Sequence, residues 1–224
     1  MGINQDSVGN QKVKTTTKYL LDTKTNQIVN ISFIKYYDID GFITKSIVFD
    51  YKKDIKTTTK ISKESGKIIE DILIESGSGE VVDESTNEII LDSKGNAKSV
   101  STYNEEGDLT KTINFEYDEK GNKTKEKTYF KDGVGNSETT YEITYDNQGQ
   151  VKSVVISDDS VVRAYEEIIQ TSSGDLKRVT RDANKVTQRV NKYTYDDDGK
   201  IIFHKIIDSN GSVEFSYKFE YQYY

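Results

Sequence analysis

Few side chains in this sequence have the type and spacing to do chemistry. There is no cysteine and one histidine, His204. Without thiols there is no disulfide, zinc knuckle or iron–sulfur ligation, and one imidazole cannot make a two-histidine metal site. Carboxylates are plentiful. Asp38-Ile39-Asp40-Gly41 and Asp196-Asp197-Asp198-Gly199 set acids one residue apart ahead of a glycine, as calcium loops do, but neither carries the bidentate Glu that ends an EF-hand loop. Turn chemistry explains both, so neither a metal nor a cofactor is expected. Glu166-Glu167 and Asp158-Asp159 are the paired acids a glycoside hydrolase would need, yet neighbours on a strand point to opposite faces. His204 lies between Ile202 and Ile206 with no G-x-S-x-G sequence nearby, and reads as a strand residue rather than a general base. No catalytic residue is assigned, and the chain is not expected to be an enzyme. The 16 tyrosines remain. A tyrosine ring offers apolar area with a polar tip, suited to sugars or to other proteins. Most alternate with Val, Ile and Phe and read as cross-strand packing; Tyr221, Tyr223 and Tyr224, on a terminal strand, are the candidate ligand-binding residues.

The elements that must hold these residues follow from composition. Only 33% of the 224 residues are hydrophobic against 31% charged, a thin supply of core. The Tyr, Phe, Val and Ile content is too high for a disordered chain, which leaves a β-protein with one wet face. The net charge of −7 is spread along the sequence, so no basic stripe exists to follow phosphates and no nucleic-acid partner is expected. No apolar run approaches the length of a membrane-spanning helix. The first residues, Met1-Gly2-Ile3-Asn4-Gln5-Asp6, lack the regions of a signal peptide. The reading preferred here is a mature chain without its leader, placed in the cell envelope or outside the cell.

With proline absent, glycine marks the turns. Seven glycines end a D/N-x-x-G tetrad: Asp38–Gly41, Asp92–Gly95, Asn104–Gly107, Asp118–Gly121, Asp146–Gly149, Asp196–Gly199 and Asp208–Gly211. The acid or amide caps amides inside a type I turn, and the glycine takes the left-handed conformation that closes it. Such a turn faces the residue before the tetrad with the second residue after it. The preceding residues are Tyr37, Leu91, Tyr103, Tyr117, Tyr145, Tyr195 and Ile207; all the following ones but Lys123 are apolar. Carried outward at period two, this face would set Val213, Phe215, Tyr217, Phe219, Tyr221 and Tyr223 beside Ile207, Phe203 and Ile201. It would also set Ile113, Phe115 and Tyr117 against Lys127, Lys125 and Lys123, leaving part of the sheet one layer thick. Irregular turns, including Thr171 to Gly174 and Asp182 to Asn184, complete roughly sixteen strands. Glu64 to Glu75 is β-branched enough to be read as strand rather than helix.

The glycines recur in units of about 25 residues, as in a repeat array whose units bury a face only against their neighbours. Tyr117-Asp118-Glu119-Lys120-Gly121, Tyr145-Asp146-Asn147-Gln148-Gly149 and Tyr195-Asp196-Asp197-Asp198-Gly199 resemble the YD repeats of RHS-type bacterial surface and toxin proteins, over about half the chain. Asn122, Gln150 and Lys200 stand where that family commonly has Arg, and the unit here is longer. The shorter glycine spacing is also similar to MORN-type repeats. Either resemblance implies a winding β-meander used as shell, scaffold or contact surface, without an active site. The expected fold is an all-β antiparallel meander of repeated hairpins, elongated or rolled, with residues 1–12 flexible and 13–224 a single domain. The expected function is a non-catalytic bacterial scaffold or binding module with a protein or glycan partner and possible self-association through a β-edge. The alternatives are a carbohydrate-binding module using exposed Tyr, or a glycoside hydrolase.

Overall fold

The computed structural model describes residues 12–171 and 175–224. The N-terminal segment expected to be flexible lies almost wholly outside the described residues, as does part of the Thr171–Gly174 turn. The described chain forms strands β1 (Val13–Leu21), β2 (Ile28–Tyr37), β3 (Ile43–Asp50), β4 (Ile55–Glu64), β5 (Lys67–Ser76), β6 (Val81–Leu91), β7 (Ala97–Asn104) and β8 (Leu109–Tyr117). It continues through β9 (Lys123–Phe130), β10 (Ser137–Tyr145), β11 (Val151–Asp158), β12 (Val161–Gln170), β13 (Leu176–Asp182), β14 (Thr187–Tyr195), β15 (Ile201–Asp208) and β16 (Val213–Tyr223). Each strand pairs antiparallel with the next, and β16 pairs with β1, closing the sheet into a 16-strand barrel.

Closure corrects the expectation of an open, elongated or rolled meander. Hairpin signals are local and fix each strand beside its neighbour, but whether the ends meet depends on stagger summed around the whole sheet. Closure also leaves β16 without a free edge for the possible self-association. β16 is hydrogen-bonded on both sides, with Thr17 opposite Glu220 and Ile206 opposite Phe215.

The seven tetrads form the turns their sequence calls for. Every tetrad glycine has positive φ. In Asp38–Gly41 the Gly41 amide donates to the Asp38 carbonyl at 3.1 Å, while Asp38 Oδ1 accepts from the Asp40 and Phe42 amides at 2.9 Å. Asp182–Lys185 makes the same turn with Lys185 at φ 64° in the glycine's place, which is why the glycine pattern missed it.

One pair beyond each turn the register slips. Tyr117 faces Lys123 as expected, but Glu116 then faces Lys125 and Phe115 faces Glu126. The same slip follows the turns after β2, β6, β7, β10, β13, β14 and β15. An extra residue on the returning strand bends it and exchanges its two faces. Two expectations fail for this reason. Phe215 and Tyr217 lie beside Ile206 and His204 rather than in a row with Phe203. Lys125 and Lys127 lie off the Ile113–Phe115–Tyr117 face and pair with Glu138 at 3.4 and 3.1 Å.

The concave face is marked by side chains that meet across an intervening strand, because neighbours converge on that side and splay apart on the other. Phe33 on β2 meets Phe219 on β16 at 6.0 Å across β1, and Arg189 on β14 reaches Glu214 on β16 at 3.1 Å across β15. Lys52, in the turn after β3, sits 5.2 Å from the Phe215 ring. Register then assigns every strand's inner and outer residues. The opposite face carries the exposed mid-strand charges, among them Lys60, Asp71, Glu142, Lys192 and Lys205. The interior is wet: among the described residues only Val13, Leu21, Tyr37, Ile68, Ile156 and Val179 are buried apolar side chains, and Val48 on the inner wall is 45% exposed.

At one rim the hairpins brace one another. Lys120 Nζ donates to the Gly149 carbonyl at 3.1 Å, Asn122 Nδ2 donates to the Tyr145 hydroxyl at 2.9 Å, and that hydroxyl donates to Asp118. Tyr37, Tyr117, Tyr145 and Tyr195, each just before a turn at this rim, share the inner face.

Candidate ligand-binding wall inside the barrel

The slips gather aromatic residues onto the inner face of β14, β15, β16, β1 and β2. Tyr193 pairs with His204, His204 with Tyr217, Tyr217 with Leu20, and Phe219 with Lys18, which faces Phe33. The rings stack in sequence. Tyr193 and His204 lie 4.5 Å apart at 8°, His204 and Tyr217 5.6 Å at 24°, and Tyr217 and Phe215 6.1 Å at 16°. At these separations near-parallel rings stack face to face, so they form a column running across adjacent strands with ring edges towards the barrel interior.

His204 is 9% exposed, and its Nε2 donates to Asn191 Oδ1 at 2.9 Å. Burial, aided by the Lys18 charge, pulls its pKa down to about 4, so the ring is neutral at physiological pH. Burial also pushes the Tyr193 and Tyr217 hydroxyls above their ordinary values.

Lys18 lies against the column. Its Nζ lies 3.6 Å from the Tyr217 ring centre and 5.7 Å from those of Phe33 and Phe219. Lys35, its neighbour on the same face, lies 5.4 Å from Phe33. Neither lysine makes a salt bridge among the described residues. The inward acid of β16, Glu214, is committed to Arg189 at 3.1 Å, and on β12 Glu166 faces Arg178 at 3.8 Å. Burial first, and Lys35 second, pull the Lys18 pKa down to about 8. The arrangement is therefore an aromatic wall with two cations held by rings alone.

The candidates from sequence are dispersed. Tyr221 donates to the Ile201 carbonyl at 2.8 Å, Tyr223 accepts from Lys200 Nζ at 2.9 Å, and Tyr224 donates to the Tyr37 carbonyl. The Tyr224 bond reaches across β1 to β2, while the Tyr221 and Tyr223 bonds tie β16 to the β15 side. Glu166 points inward, while Glu167 points outward to Arg181 at 2.9 Å. Asp158 accepts from Thr139 Oγ1 at 2.7 Å, and Asp159 accepts from the Glu138 amide at 3.0 Å. Among the described residues no group of three or more His, Cys, Asp or Glu gathers as metal ligands would. Sequence reasoning missed Lys18, Lys35, Phe33 and Tyr193, and it read His204 as an ordinary strand residue. The available signal was the ring-rich β16 row, whose partners the slip concealed.

No protein-family model and no curated protein matches this chain. Among solved structures it is similar to a porin-like protein from Bacteroides uniformis, with TM-score 0.57 and 13% identity, over 95% of this chain and 98% of that one. A porin-like protein from Bacteroides vulgatus aligns over 95% and 99% of the two chains at TM-score 0.43 and 13% identity. The repeat, YD and RHS descriptions find no support in these matches. In a repeat array the first and last units stay apart, whereas here β1 and β16 are paired partners. What the chain shares with the first of these structures is its fold, a closed β-barrel.

Proposed function

We propose that this protein is a non-catalytic binding barrel of the bacterial cell envelope, standing in water and holding a ligand against its inner wall. One observation carries the reading: the Tyr193–His204–Tyr217–Phe215 column, with Lys18 at its side, lies on the inner wall of a closed barrel that buries few apolar side chains. Half-buried rings on an inner wall offer apolar area to a ligand. The fold shared with a Bacteroides porin-like protein and the cysteine-free composition support the envelope location.

The outer face supports water rather than lipid as the surroundings. A membrane barrel needs an apolar outer band about 25 Å tall, and a Lys or Arg at its middle costs roughly 2–4 kcal/mol. Here Lys60, Lys127, Lys192 and Lys205 stand near the middle of four different strands on the outer face, with Asp71 and Glu142 on two more. Together they would oppose insertion by about 10 kcal/mol or more.

The test uses an uncharged ring probe, N-phenyl-1-naphthylamine, whose fluorescence rises in apolar surroundings. The intact barrel is expected to bind it, and Tyr217→Ala is expected to weaken binding at least fivefold with the circular dichroism unchanged. Equal binding by the variant overturns the reading. Flotation with phosphatidylethanolamine–phosphatidylglycerol vesicles checks the second part, since a barrel that co-floats and resists alkaline extraction is a membrane protein.

A further inference from the structure

We infer that the ligand of the inner wall is an anion: a single carboxylate, sulfonate or phosphate ester group placed between Lys18 and Lys35, on an apolar body packed against the neighbouring aromatic side chains. The inference rests on the binding reading above and names the ligand class for the same site.

The argument starts from charge. Two ammonium groups share one face of adjacent strands, and Lys18 pairs with Phe33 two residues from Lys35. The groups facing Lys18 are Phe33 and Lys35 from β2, Tyr217 and Phe219 from β16, and His204 beyond them on β15. None is an acid. The tyrosine is protonated at neutral pH and the histidine is neutral, so nothing on the wall balances the pair. Rings attract a cation through their faces, but each contributes only about 0.5–2 kcal/mol and none removes the repulsion between two lysines.

Three other inward cations have acids beside them. Lys123 on β9 also lies among rings, 5.3 Å from Phe115 and 4.7 Å from Tyr141, and it holds Glu126 at 2.6 Å. Arg178 has Glu166 and Arg189 has Glu214. Lys18 and Lys35 share the Phe33 ring with no acid between them, so an incoming anion gains both charge neutralisation and apolar contact there. An anion with an apolar body satisfies both features; a neutral ligand leaves the lysines unbalanced, and an inorganic anion leaves the rings without a partner.

The test compares two probes that differ by one group, N-phenyl-1-naphthylamine and its sulfonated counterpart 1-anilinonaphthalene-8-sulfonate, titrated into the full chain at low and high salt. The expected result is at least tenfold tighter binding of the sulfonate at low salt, falling as salt rises, with the neutral probe indifferent to salt. Lys18→Met and Lys35→Met are each expected to weaken the sulfonate at least fivefold and to flatten its salt dependence. Lys60→Met, on the outer face, is expected to change neither. Leu20→Glu supplies an acid on the inner face beside Lys18 and should also suppress the sulfonate, so the outcome does not rest on the lysine variants folding. Binding of the neutral probe with no preference for the sulfonate overturns the anion inference and leaves the binding reading standing. Failure of both probes overturns both.

Discussion

Lys18 and Lys123 are two solutions to one problem. Both extend from strands into the barrel, both lie on aromatic rings, and both lose hydration there. Burial alone would lower either pKa. For Lys123 the bond and charge of Glu126, with the Tyr141 oxygen, more than offset it and hold the pKa above the ordinary lysine value. For Lys18 nothing offsets burial, and Lys35 adds to it. The difference teaches that a ring cage alone is a poor counter-ion. Beside Lys123 the wall sets a carboxylate; beside Lys18 it sets rings and a second lysine.

The largest expected effect breaks the comparison on the Lys18 side by titrating its neighbour. His204 has an ordinary pKa of 6.5 and a folded one near 4, so its neutral form is favoured by the fold. Its contribution is complete above pH 6.5 and is lost as pH falls towards 4, costing about 3 kcal/mol in total. Urea denaturation from pH 7 to 4 should show this loss, and His204→Gln should flatten it. Hydrogen exchange should place the loosening in β14–β16 and β1 before β8–β10. Lys18 acts with the same sign in a higher window. Because its pKa is lowered to about 8, stability should rise between pH 8 and 10.5 as the lysine loses its proton.

Next in size is Glu126→Gln, which turns Lys123 into a second Lys18. The lysine and its acid are only 25% and 27% exposed, so removing the acid should cost about 2 kcal/mol. The Lys123 pKa, followed by NMR of the side chain, should drop below the ordinary lysine value. If it stays raised, Tyr141 and not Glu126 sets it, and the contrast with Lys18 dissolves.

Gly121 turns the hairpin of Lys123, and Gly199 turns the β14–β15 hairpin beside Lys18, both at φ near 80°. Replacing either by Val should cost about 1–2 kcal/mol by forcing a β-branched residue into the left-handed region. Equal costs in thermal melts would show that the turns are indifferent to the charge chemistry inside; unequal costs would couple the two. The smallest effect is Lys185→Gly. Lys185 holds the same left-handed position, so glycine there should gain somewhat less than 1 kcal/mol after loss of the 5.5 Å contact with Tyr165.

The hairpins were legible in the sequence because a D-x-x-G turn is decided by four residues. The strand Lys67–Ser76 was legible because its β-branched residues outweigh any helical spacing. Two things were not legible. The extra residue after each turn depends on how the returning strand bends against its neighbour, and it silently exchanges the faces of Phe115, Phe203 and Phe215 relative to one another. Closure depends on the meeting of β1 with β16, which no local pattern encodes. The candidate wall inherits both difficulties. Its rings come from hairpins whose faces were misassigned, and its cations come from strands β1 and β2, which lie beside β16 only once the barrel has closed.

That seam also sets a schedule. Thr15 donates to Gln222 across 207 residues of chain, and the Tyr224 amide donates to the Lys12 carbonyl. During synthesis β1 therefore has no permanent partner on one side until β16 has emerged. Each new hairpin in turn presents a temporary edge to the surroundings. A ribosome-stalled or truncated chain lacking β16 would hold fifteen strands and two raw margins, with Lys18 deprived of Tyr217 and Phe219. The inner wall is thus completed in a single late step, when β1 and β16 find each other.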